Sequence, residues 1–352
     1  MSSKKPSPPT ITVAVPVLNE ELHLAACLDA IAAQTCDGIV EVLVVDGGST
    51  DRTVEIARTY PHVQILDNPR RIQAAALNAA LDVAVGDVVV RVDGHCRIEP
   101  DYVERCVAAL ASTGAAMVGG GMTPVASGAM QEAIAAAMGS RIGAGPARFH
   151  TSGSPGWVDT VYLGAYRTVD ARAVGGYAED VGVNEDAEFA IRMAPRGGIW
   201  FDPSIRSTYT PRSSLPAVAR QFYRYGRSRS ITVRRHPGSL SPRQLAAPAL
   251  VLGVLSPWRR AVLAAYVAVV AGWAAYGRPA RTPLAGVVLP FMHLPWGIGF
   301  LIGLVSAWRA GDRDGVESLE GRLLRERSHS LGIRPPEVDR RLVVRPGRRG
   351  RS

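Results

Sequence analysis

The chain repeats one pattern three times between residues 11 and 85: a short apolar segment, a polar loop and a longer segment with helical character. The apolar segments are Ile11–Val17, Ile39–Val45 and Val63–Leu66, and the helical segments are Leu22–Ala33, Arg52–Tyr60 and Gln73–Val85. Strands that alternate with helices in units of about thirty residues are typical of a mostly parallel sheet. The sequence therefore predicts an α/β fold, with residues 11–243 as its globular domain.

A polar loop follows each apolar segment, and a parallel sheet would bring these loops to one edge, where open α/β sheets bind their ligands. The loops contain Asn19–Glu20, Asp46–Asp51, Arg71 and, after a further strand, Asp93–His95. The second loop has neither a GxGxxG nor a GxxxxGK(S/T) pattern, which argues against a dinucleotide site and a P-loop. Its acidic side chains are suited to hydrogen bonds with a ribose or with the edge of a nucleobase. Helix capping by Ser49 or Thr50 is the alternative role.

The segment Val89–His95 brings a carboxylate to that edge. Residues with high β propensity lead into Asp93, and Gly94 permits close approach of the backbone. Together with the imidazole of His95, the carboxylate is suited to hold a divalent cation against a diphosphate. A solvent-exposed Asp-Gly turn after a core strand is the alternative.

Residues 112–156 are rich in glycine and alanine, with Gly119–Gly121 after a short strand, which predicts an irregular, partly mobile segment. Strand character returns at Val158–Tyr166, and a helix that ends at Met193 then begins with three carboxylates: Glu185, Asp186 and Glu188. Acids in a first turn stabilise a helix through its dipole, which is one explanation. Catalysis is the other, because a carboxylate whose pKa is raised by an acidic neighbour is suited to take a proton from a hydroxyl.

The formal net charge is +9, and no acidic residue occurs between Asp202 and Asp312. Arginines accumulate early in that stretch, at Arg212, Arg220, Arg224, Arg227, Arg229, Arg234, Arg235 and Arg243. Arginines interleaved with aromatic residues, as at 221–225, also occur in proteins that bind nucleic acid. Because an apolar region follows directly, we interpret these arginines as a diphosphate-binding surface near lipid and expect no nucleic-acid partner.

Three apolar segments predict a membrane region at 244–310. Leu245–Leu255 is short, Ala261–Tyr276 is marginal, and Leu284–Trp308 is long enough to cross a hydrocarbon layer of about 30 Å. We predict two crossings, with the first segment at the interface. A buried helical subdomain is the alternative.

The two ends of the chain set the expected location. Residues 1–10 are predicted to be a flexible leader without the apolar core of a signal peptide. The basic tail at 311–352 is expected in the cytoplasm by the positive-inside rule. We therefore expect the plasma (inner) membrane, with the globular domain and the tail both on the cytoplasmic side.

Six short motifs occur in the order seen in family 2 glycosyltransferases. They are VAVPVLNE at 13–20, VVDGGSTD at 44–51, RVDGH at 91–95, VDTVYLGAY at 158–166, NEDAEF at 184–189 and QFYRY at 221–225. Each is weak alone, but together they resemble the branch of the family that acts in succinoglycan biosynthesis, over residues 11–235 with similar membrane helices after them. The resemblance implies a GT-A fold, a nucleotide-diphosphate sugar donor, a divalent metal ion and inverting transfer to a hydroxyl.

The resemblance also implies roles for single residues. Donor-binding roles fall on Glu20, Asp46, Arg71, Asp93, Gln221 and Arg224. Asp93 would open a DxD-like motif and hold the metal ion with His95, while Asp186 would be the general base. On the acceptor side we expect Asp159, Tyr162 and Glu185.

Two positions depart from the family pattern. His95 stands where many relatives have a second aspartate, so we expect either Mn²⁺ or Mg²⁺, with imidazole favouring Mn²⁺. Tyr225 replaces the tryptophan of the QxxRW element, and we therefore predict the addition of a single sugar.

The function predicted from the sequence is transfer of a sugar, with a UDP-sugar as the expected donor. The expected acceptor is a membrane-associated, polyprenyl-linked glycan in exopolysaccharide or cell-envelope synthesis. A catalytically silent, membrane-anchored scaffold that binds nucleotide sugars is the alternative. A nucleotidyltransferase is disfavoured, since it would need a basic, glycine-rich phosphate loop near its N-terminus.

Overall fold

The computed structural model describes residues 8–143, 145, 148–151, 153–276 and 283–309. Within these ranges nine strands form one sheet: β1 (Ile11–Val17), β2 (Ile39–Asp46), β3 (Val63–Asp67), β4 (Val88–Arg91), β5 (Arg97–Ile98), β6 (Met117–Pro124), β7 (Gly156–Val158), β8 (Tyr162–Arg167) and β9 (Ile199–Tyr209). The strand order is β3-β2-β1-β4-β8-β6-β9-β5, and β7 pairs with β9. Strands β5, β7 and β8 run against the other six. The predicted α/β fold with a mostly parallel sheet is confirmed.

Helices cover both faces of this sheet. In the described part of the chain they are α1 (Leu24–Ala32), α2 (Thr53–Arg58), α3 (Gln73–Val83), α4 (Tyr102–Thr113), α5 (Ala129–Met138), α6 (Arg148–Thr151), α7 (Thr168–Ala173), α8 (Glu185–Met193), α9 (Leu215–Arg235), α10 (Ala246–Leu255), α11 (Arg259–Tyr276) and α12 (Pro283–Arg309). Successive side chains of a strand point to opposite faces. Val13 and Val15 of β1 accordingly join a buried cluster with α1 and α4, while Ala14 joins one with α3 and α8.

The parallel register brings the predicted loops together. Val17, the last residue of β1, pairs with Asp46 at the end of β2. On the other side of β1, Ala14 pairs with Arg91, the last residue of β4. The loops after β1, β2 and β4 therefore meet at the carboxyl edge of the sheet, and Asp93 lies two residues beyond the end of its strand.

The prediction of an irregular segment at 112–156 is wrong over much of its length. Met117–Pro124 form β6, which lies between β8 and β9, and Ala129–Met138 form α5. The glycines reflect packing instead of irregularity, since a Cβ atom at Gly120 would collide with the backbone of Ile205 in β9. Glycine inside a strand often marks such a close approach of another backbone.

Helices α9 and α12 cross at very short range. A Cβ atom at Gly226 of α9 would collide with the backbone of Trp296, and one at Gly299 of α12 would collide with the backbone of Tyr223. Apolar side chains of α5, including Ile134, share a buried cluster with both helices. The first part of α12 therefore packs directly on the helix that carries the QFYRY motif.

One helix among the described residues is long and apolar enough to cross a membrane, the 24 residues Pro283–Ser306 of α12, with a mean hydropathy of 1.8. Helix α11, the other predicted crossing, does not meet the same criteria of length and hydropathy. Apolar side chains on α10–α12 are nonetheless exposed, among them Leu252, Val267 and Phe291. Two crossings stay a prediction. The tail at 311–352 and residues 1–7 of the leader lie outside the described residues.

Candidate active site

Asp93 is buried and held by two side chains. Its Oδ1 accepts hydrogen bonds from Nε of Arg91 at 2.8 Å and from Nε2 of Gln73 at 3.0 Å. Its Oδ2 accepts a second bond from Arg91, through Nη2 at 3.2 Å. Bidentate contacts of this kind between arginine and a carboxylate fix orientation as well as charge. The carboxylate is thus fixed between the end of β4 and the start of α3.

Arg91 also joins this carboxylate to α8. Its Nη1 donates a hydrogen bond to Oε1 of Glu185 at 3.1 Å, across 94 positions of sequence. Asn184, with a positive φ of 61°, turns the chain into the helix, so that Glu185 and Asp186 are its first two residues. Within the described residues, Asp186 accepts one hydrogen bond, from the backbone N–H of Ala187 at 2.8 Å.

Three acids surrounding one guanidinium acquire different pKa values. Burial raises the pKa of Glu185 to about 7, against the opposing effect of Arg91. Burial also raises the pKa of Asp186, and Arg91 again opposes it. For Asp93, the contacts with Arg91 outweigh burial and lower the pKa. Asp93 therefore stays anionic, whereas the adjacent pair at the start of α8 is suited to bind and release a proton.

Glu20 contacts His95, with Oε1 and Nδ1 2.9 Å apart. That hydrogen bond raises the pKa of His95, and burial opposes the effect. No group of three His, Cys, Asp or Glu side chains among the described residues is arranged to hold a metal ion. The anionic Asp93 and the other imidazole nitrogen of His95 leave two donors. Such a set fits a cation whose remaining ligands come from substrate phosphate and water, which is common for Mg²⁺.

Asp46 directs its carboxylate into its own loop. Oδ2 accepts from the backbone N–H of Gly48 at 3.0 Å, and Oδ1 accepts from the hydroxyl of Ser49 at 2.6 Å. Arg71 lies against the same loop, with Nη2 3.4 Å from the carbonyl oxygen of Gly48. The donor-binding roles of Asp46 and Arg71 stay predictions.

The capping alternative for this loop was wrong: the residue before α2 is Arg52, and it makes no side-chain cap hydrogen bond. Asp51 accepts hydrogen bonds from the backbone N–H and the hydroxyl of Thr53, at 3.0 and 2.5 Å, where α2 begins. Ser49 and Thr50 instead bind Asn19, whose backbone N–H and Oδ1 lie 2.8 Å from their partners. Asn19, in the loop after β1, therefore binds both residues that were expected to cap the helix.

One cavity of about 2200 Å³ gathers most of the predicted residues. Its lining includes Glu20, Asp93, His95, Asp159, Tyr162, Glu185, Asp186, Gln221 and Arg224. Asp46 and Arg71 are not part of that lining. The Gln221 side chain donates a hydrogen bond to the hydroxyl of Tyr225 at 2.7 Å. Residues far apart in sequence thus face a common space at the carboxyl edge of the sheet.

The cavity presents polar groups without protein partners. Buried Oε1 of Gln221 and buried Oγ1 of Thr160 accept or donate no hydrogen bond within the described residues. Five arginines in the lining also have no hydrogen bond or ion pair to a described side chain: Arg141, Arg212, Arg220, Arg224 and Arg243. Unpaired buried polar groups are costly, so the amide and the hydroxyl favour a polar ligand. The five arginines are exposed and offer charge to an anionic one.

Sequence reasoning missed Arg91 and Gln73, the two side chains that hold Asp93. A signal was present for Arg91, because a charged residue in an apolar strand needs a buried partner. Side chains two positions apart also point to the same side of an extended chain, which relates Arg91 to Asp93. No sequence signal relates Gln73 to Asp93, because that contact depends on how α3 docks.

The sequence is similar to a known protein family and to several of its characterised members. The model of the family described as "Glycosyl transferase family 2" matches residues 12–155. The succinoglycan biosynthesis protein ExoA of Rhizobium meliloti is 34% identical over 318 residues, which are 85% of this chain and 96% of that protein. A dolichyl N-acetyl-alpha-D-glucosaminyl phosphate 3-beta-D-2,3-diacetamido-2,3-dideoxy-beta-D-glucuronosyltransferase of Methanococcus voltae is 25% identical over 64% of this chain and 74% of its own length.

A solved structure supports the fold. The mannosyltransferase PcManGT from Pyrobaculum calidifontis, in complex with GDP-Man and Mn²⁺, superimposes with a TM-score of 0.55 at 21% identity, over 85% of this chain and 88% of that one. The GT-A fold expected from the motifs is thereby confirmed. With the ExoA match covering nearly the whole relative, the chain belongs to glycosyltransferase family 2, in which it is similar to a protein of succinoglycan biosynthesis.

Proposed function

We propose that this glycosyltransferase moves a sugar from a nucleotide-diphosphate donor to a hydroxyl of a membrane-associated glycan, with inversion at the anomeric carbon. The observation that carries the proposal is the common cavity: Asp93 and Asp186 line the same space, and Arg91 binds both Asp93 and Glu185, the residue before Asp186. A single displacement needs a base on one side of the reacting carbon and a charge-stabilised leaving group on the other. The cavity contains a candidate for each.

Asp186 is the proposed general base. It takes the proton of the acceptor hydroxyl while that oxygen forms a bond to the anomeric carbon, and the bond to the nucleoside diphosphate breaks on the opposite face. One carboxylate oxygen of Asp186 is bound by the Ala187 N–H, which orients the group and leaves the other oxygen available. General-base assistance of this kind contributes about 10² to 10⁴-fold.

The leaving diphosphate is proposed to lie against Asp93, His95 and Arg224. A Mn²⁺ or Mg²⁺ ion held by Asp93 and His95 would supply charge neutralisation at the diphosphate oxygens. Arg224, with no partner among the described residues, would bind the same oxygens, and Gln221 offers its unpartnered Oε1 to a donor hydroxyl. Arg91 keeps Asp93 ionised and in place.

Our proposals for the donor, the acceptor and the location rest on the similarity to ExoA and on the apolar helices. We propose a UDP-sugar as donor and a polyprenyl-linked glycan in exopolysaccharide or cell-envelope synthesis as acceptor, as the likeness to ExoA supports. The apolar helix within α12 and the exposed apolar side chains of α10–α12 support attachment to the inner membrane. We further propose that the catalytic domain and the basic tail face the cytoplasm.

A panel of nucleotide sugars tests the proposal. The full chain in detergent is incubated with each sugar, with and without Mn²⁺, and release of the nucleoside diphosphate is measured. We expect one donor to be hydrolysed well above the others, in a metal-dependent manner, and NMR of the released sugar to show inversion. If the protein binds a donor and releases no diphosphate even with membrane extracts as acceptor, it is a silent scaffold.

A further inference from the structure

The cavity has two chemically different arms. Its polar arm carries the acids and the imidazole described above: Glu20, Asp93, His95, Glu185 and Asp186. Its apolar arm runs between α10 and α11 and is lined by Ala246, Ala249, Leu250, Val262, Ala265 and Val269. A nucleotide sugar has no apolar part to fill the second arm, so the donor alone does not explain the shape of the cavity.

Two arginines lie where the apolar arm begins. The Arg229 side chain donates hydrogen bonds to Oε1 of Gln244, at 3.2 Å from Nη2, and to the backbone carbonyl of Ser239. Arg243, one residue before Gln244, has its guanidinium beside Gly145 and no hydrogen bond or ion pair to a described residue. The protein thus orients one guanidinium firmly and leaves a second one available next to it.

The charge at this place is not balanced by the protein. Burial lowers the pKa of Arg229, the positive charge of Arg243 acts in the same direction, and Asp159 is the acid that opposes them. Neither arginine forms an ion pair with an acid among the described residues. Two guanidinium groups at one site match the paired oxygens of a phosphate or diphosphate.

Chain connectivity fixes the order of these environments. Arg243 lies three residues before Ala246, the first residue of α10 and of the apolar arm. In the other direction, Ser228, the neighbour of Arg229, accepts a hydrogen bond at 3.2 Å from the backbone N–H of Val183, which is three positions before Asp186. The sequence of surfaces is therefore apolar arm, arginine pair, catalytic carboxylate.

We infer that Arg229 and Arg243 bind the diphosphate of a polyprenyl-diphosphate-linked acceptor, whose hydrocarbon lies in the apolar arm and whose sugar hydroxyl faces Asp186. This inference rests on the proposed function and names the groups that hold its acceptor. The order hydrocarbon, diphosphate, sugar hydroxyl is the order of the three surfaces. A neutral glycolipid lacks the anion, and a phospholipid such as phosphatidylglycerol presents no sugar to the carboxylate.

Binding of farnesyl diphosphate, a short soluble probe, tests the arginine pair without any turnover. Equilibrium dialysis is performed with the full chain in detergent and with Arg243→Gln. We expect the variant to bind about tenfold more weakly or worse, because a charge-assisted contact is lost. Arg234→Gln is the control, since Arg234 lies on α9, the helix that carries Arg229, and is outside the cavity lining. The affinity of this variant should equal that of the wild type. Equal affinity in Arg243→Gln would overturn the inference.

A second variant tests the apolar arm and does not depend on the arginines. Ala249 is exposed on α10 and lines the arm, so Ala249→Trp should fill it while the helix still forms. We expect this variant to lose farnesyl diphosphate and to bind inorganic pyrophosphate as the wild type does. The inference is overturned if wild-type protein binds pyrophosphate as tightly as farnesyl diphosphate, or if phosphatidylglycerol displaces the probe equally well.

The donor assay separates this inference from the proposed function. Hydrolysis of the nucleotide sugar without acceptor should be unchanged in Arg243→Gln, because the donor lies in the polar arm. Wild-type protein that binds farnesyl diphosphate and hydrolyses no donor contradicts the proposed function alone. Protein that hydrolyses a donor and shows no preference for farnesyl diphosphate contradicts the acceptor site alone.

Discussion

Two buried glutamates in the first turn of α8 stand three residues apart and have opposite surroundings. Glu188 contacts two arginines and a histidine: Arg192 at 2.6 Å, His236 at 3.0 Å and Arg235 at 4.0 Å. Glu185 shares a single guanidinium, that of Arg91, with Asp93 and has Asp186 as its neighbour. The pKa of Glu188 is lowered, because these contacts outweigh its burial, while that of Glu185 rises to about 7.

The two glutamates show that a structural ion network differs from a reactive one in the ratio of acidic to cationic side chains. Around Glu188 the cations are in excess, the carboxylate stays ionised, and the network lies outside the cavity lining. Around Arg91 the acids are in excess, and two of them line the cavity with raised pKa values. Perturbed pKa values of this kind in a cleft are typical of functional sites.

The largest expected effect is on turnover when Asp186 is replaced. Asp186→Asn keeps the size of the side chain and removes the base, so transfer should fall by about 10² to 10⁴-fold while donor binding persists. Transfer rates and donor affinity are measured on the same preparation. Asp180→Asn is the matched control, because Asp180 pairs with Arg235 away from the cavity. Asp186→Asn with normal turnover would remove this residue from the role of base.

Replacing Arg91 should damage both stability and activity. Arg91→Met leaves Asp93 and Glu185 buried without their shared cation, and breaking a buried pair in this way costs about 3–5 kcal/mol. We expect a lower Tm and a loss of donor binding. Arg91→Lys retains the charge without the bidentate contact. Its Tm and its donor affinity should lie between those of the wild type and of Arg91→Met. A Tm for Arg91→Met equal to that of the wild type would contradict the structural role assigned to this guanidinium.

Glu188→Gln should lower stability more than it lowers activity. The ion pair with Arg192 is lost, at about 1.5–3 kcal/mol. Since the folded pKa of Glu188 is lowered, its stabilising effect is present above the unfolded value of about 4.3 and is lost as the pH falls through the folded value. The variant should therefore show a smaller drop in Tm than the wild type on acidification. Turnover that falls as far as in Asp186→Asn would erase the distinction between the networks.

Glu185→Gln is expected to have the smallest effect, on the pH dependence of stability. A folded pKa of about 7 means that the folded protein binds more protons than the unfolded chain between about pH 4.3 and 7. Stability from this group therefore decreases as the pH rises through that window. The glutamine variant should show a flatter Tm profile between pH 5 and 8. A profile parallel to that of the wild type would show that Glu185 does not titrate there.

Local sequence patterns predicted most of the helices and strands, and they predicted that the acids meet at one edge of the sheet. β1 was predicted to its exact bounds because an unbroken apolar run ends in Pro16–Val17, and α8 was predicted to begin at its three acids. The glycines of β6 were expected to follow a short strand and instead lie inside it, because Gly120 serves a backbone contact with Ile205, which is 85 positions away. The partnership of Arg91 with Glu185 was missed for the same reason, since sequence patterns report near neighbours and not docking across the sheet.

The crossing of α9 and α12 at Gly226 and Gly299 has a consequence for the cavity lining. Because backbone meets backbone there, the helix that carries Gln221 and Arg224 is held at a fixed distance from the apolar surface of α12. A side chain at either glycine would push the two helices apart and move Gln221 and Arg224 with them.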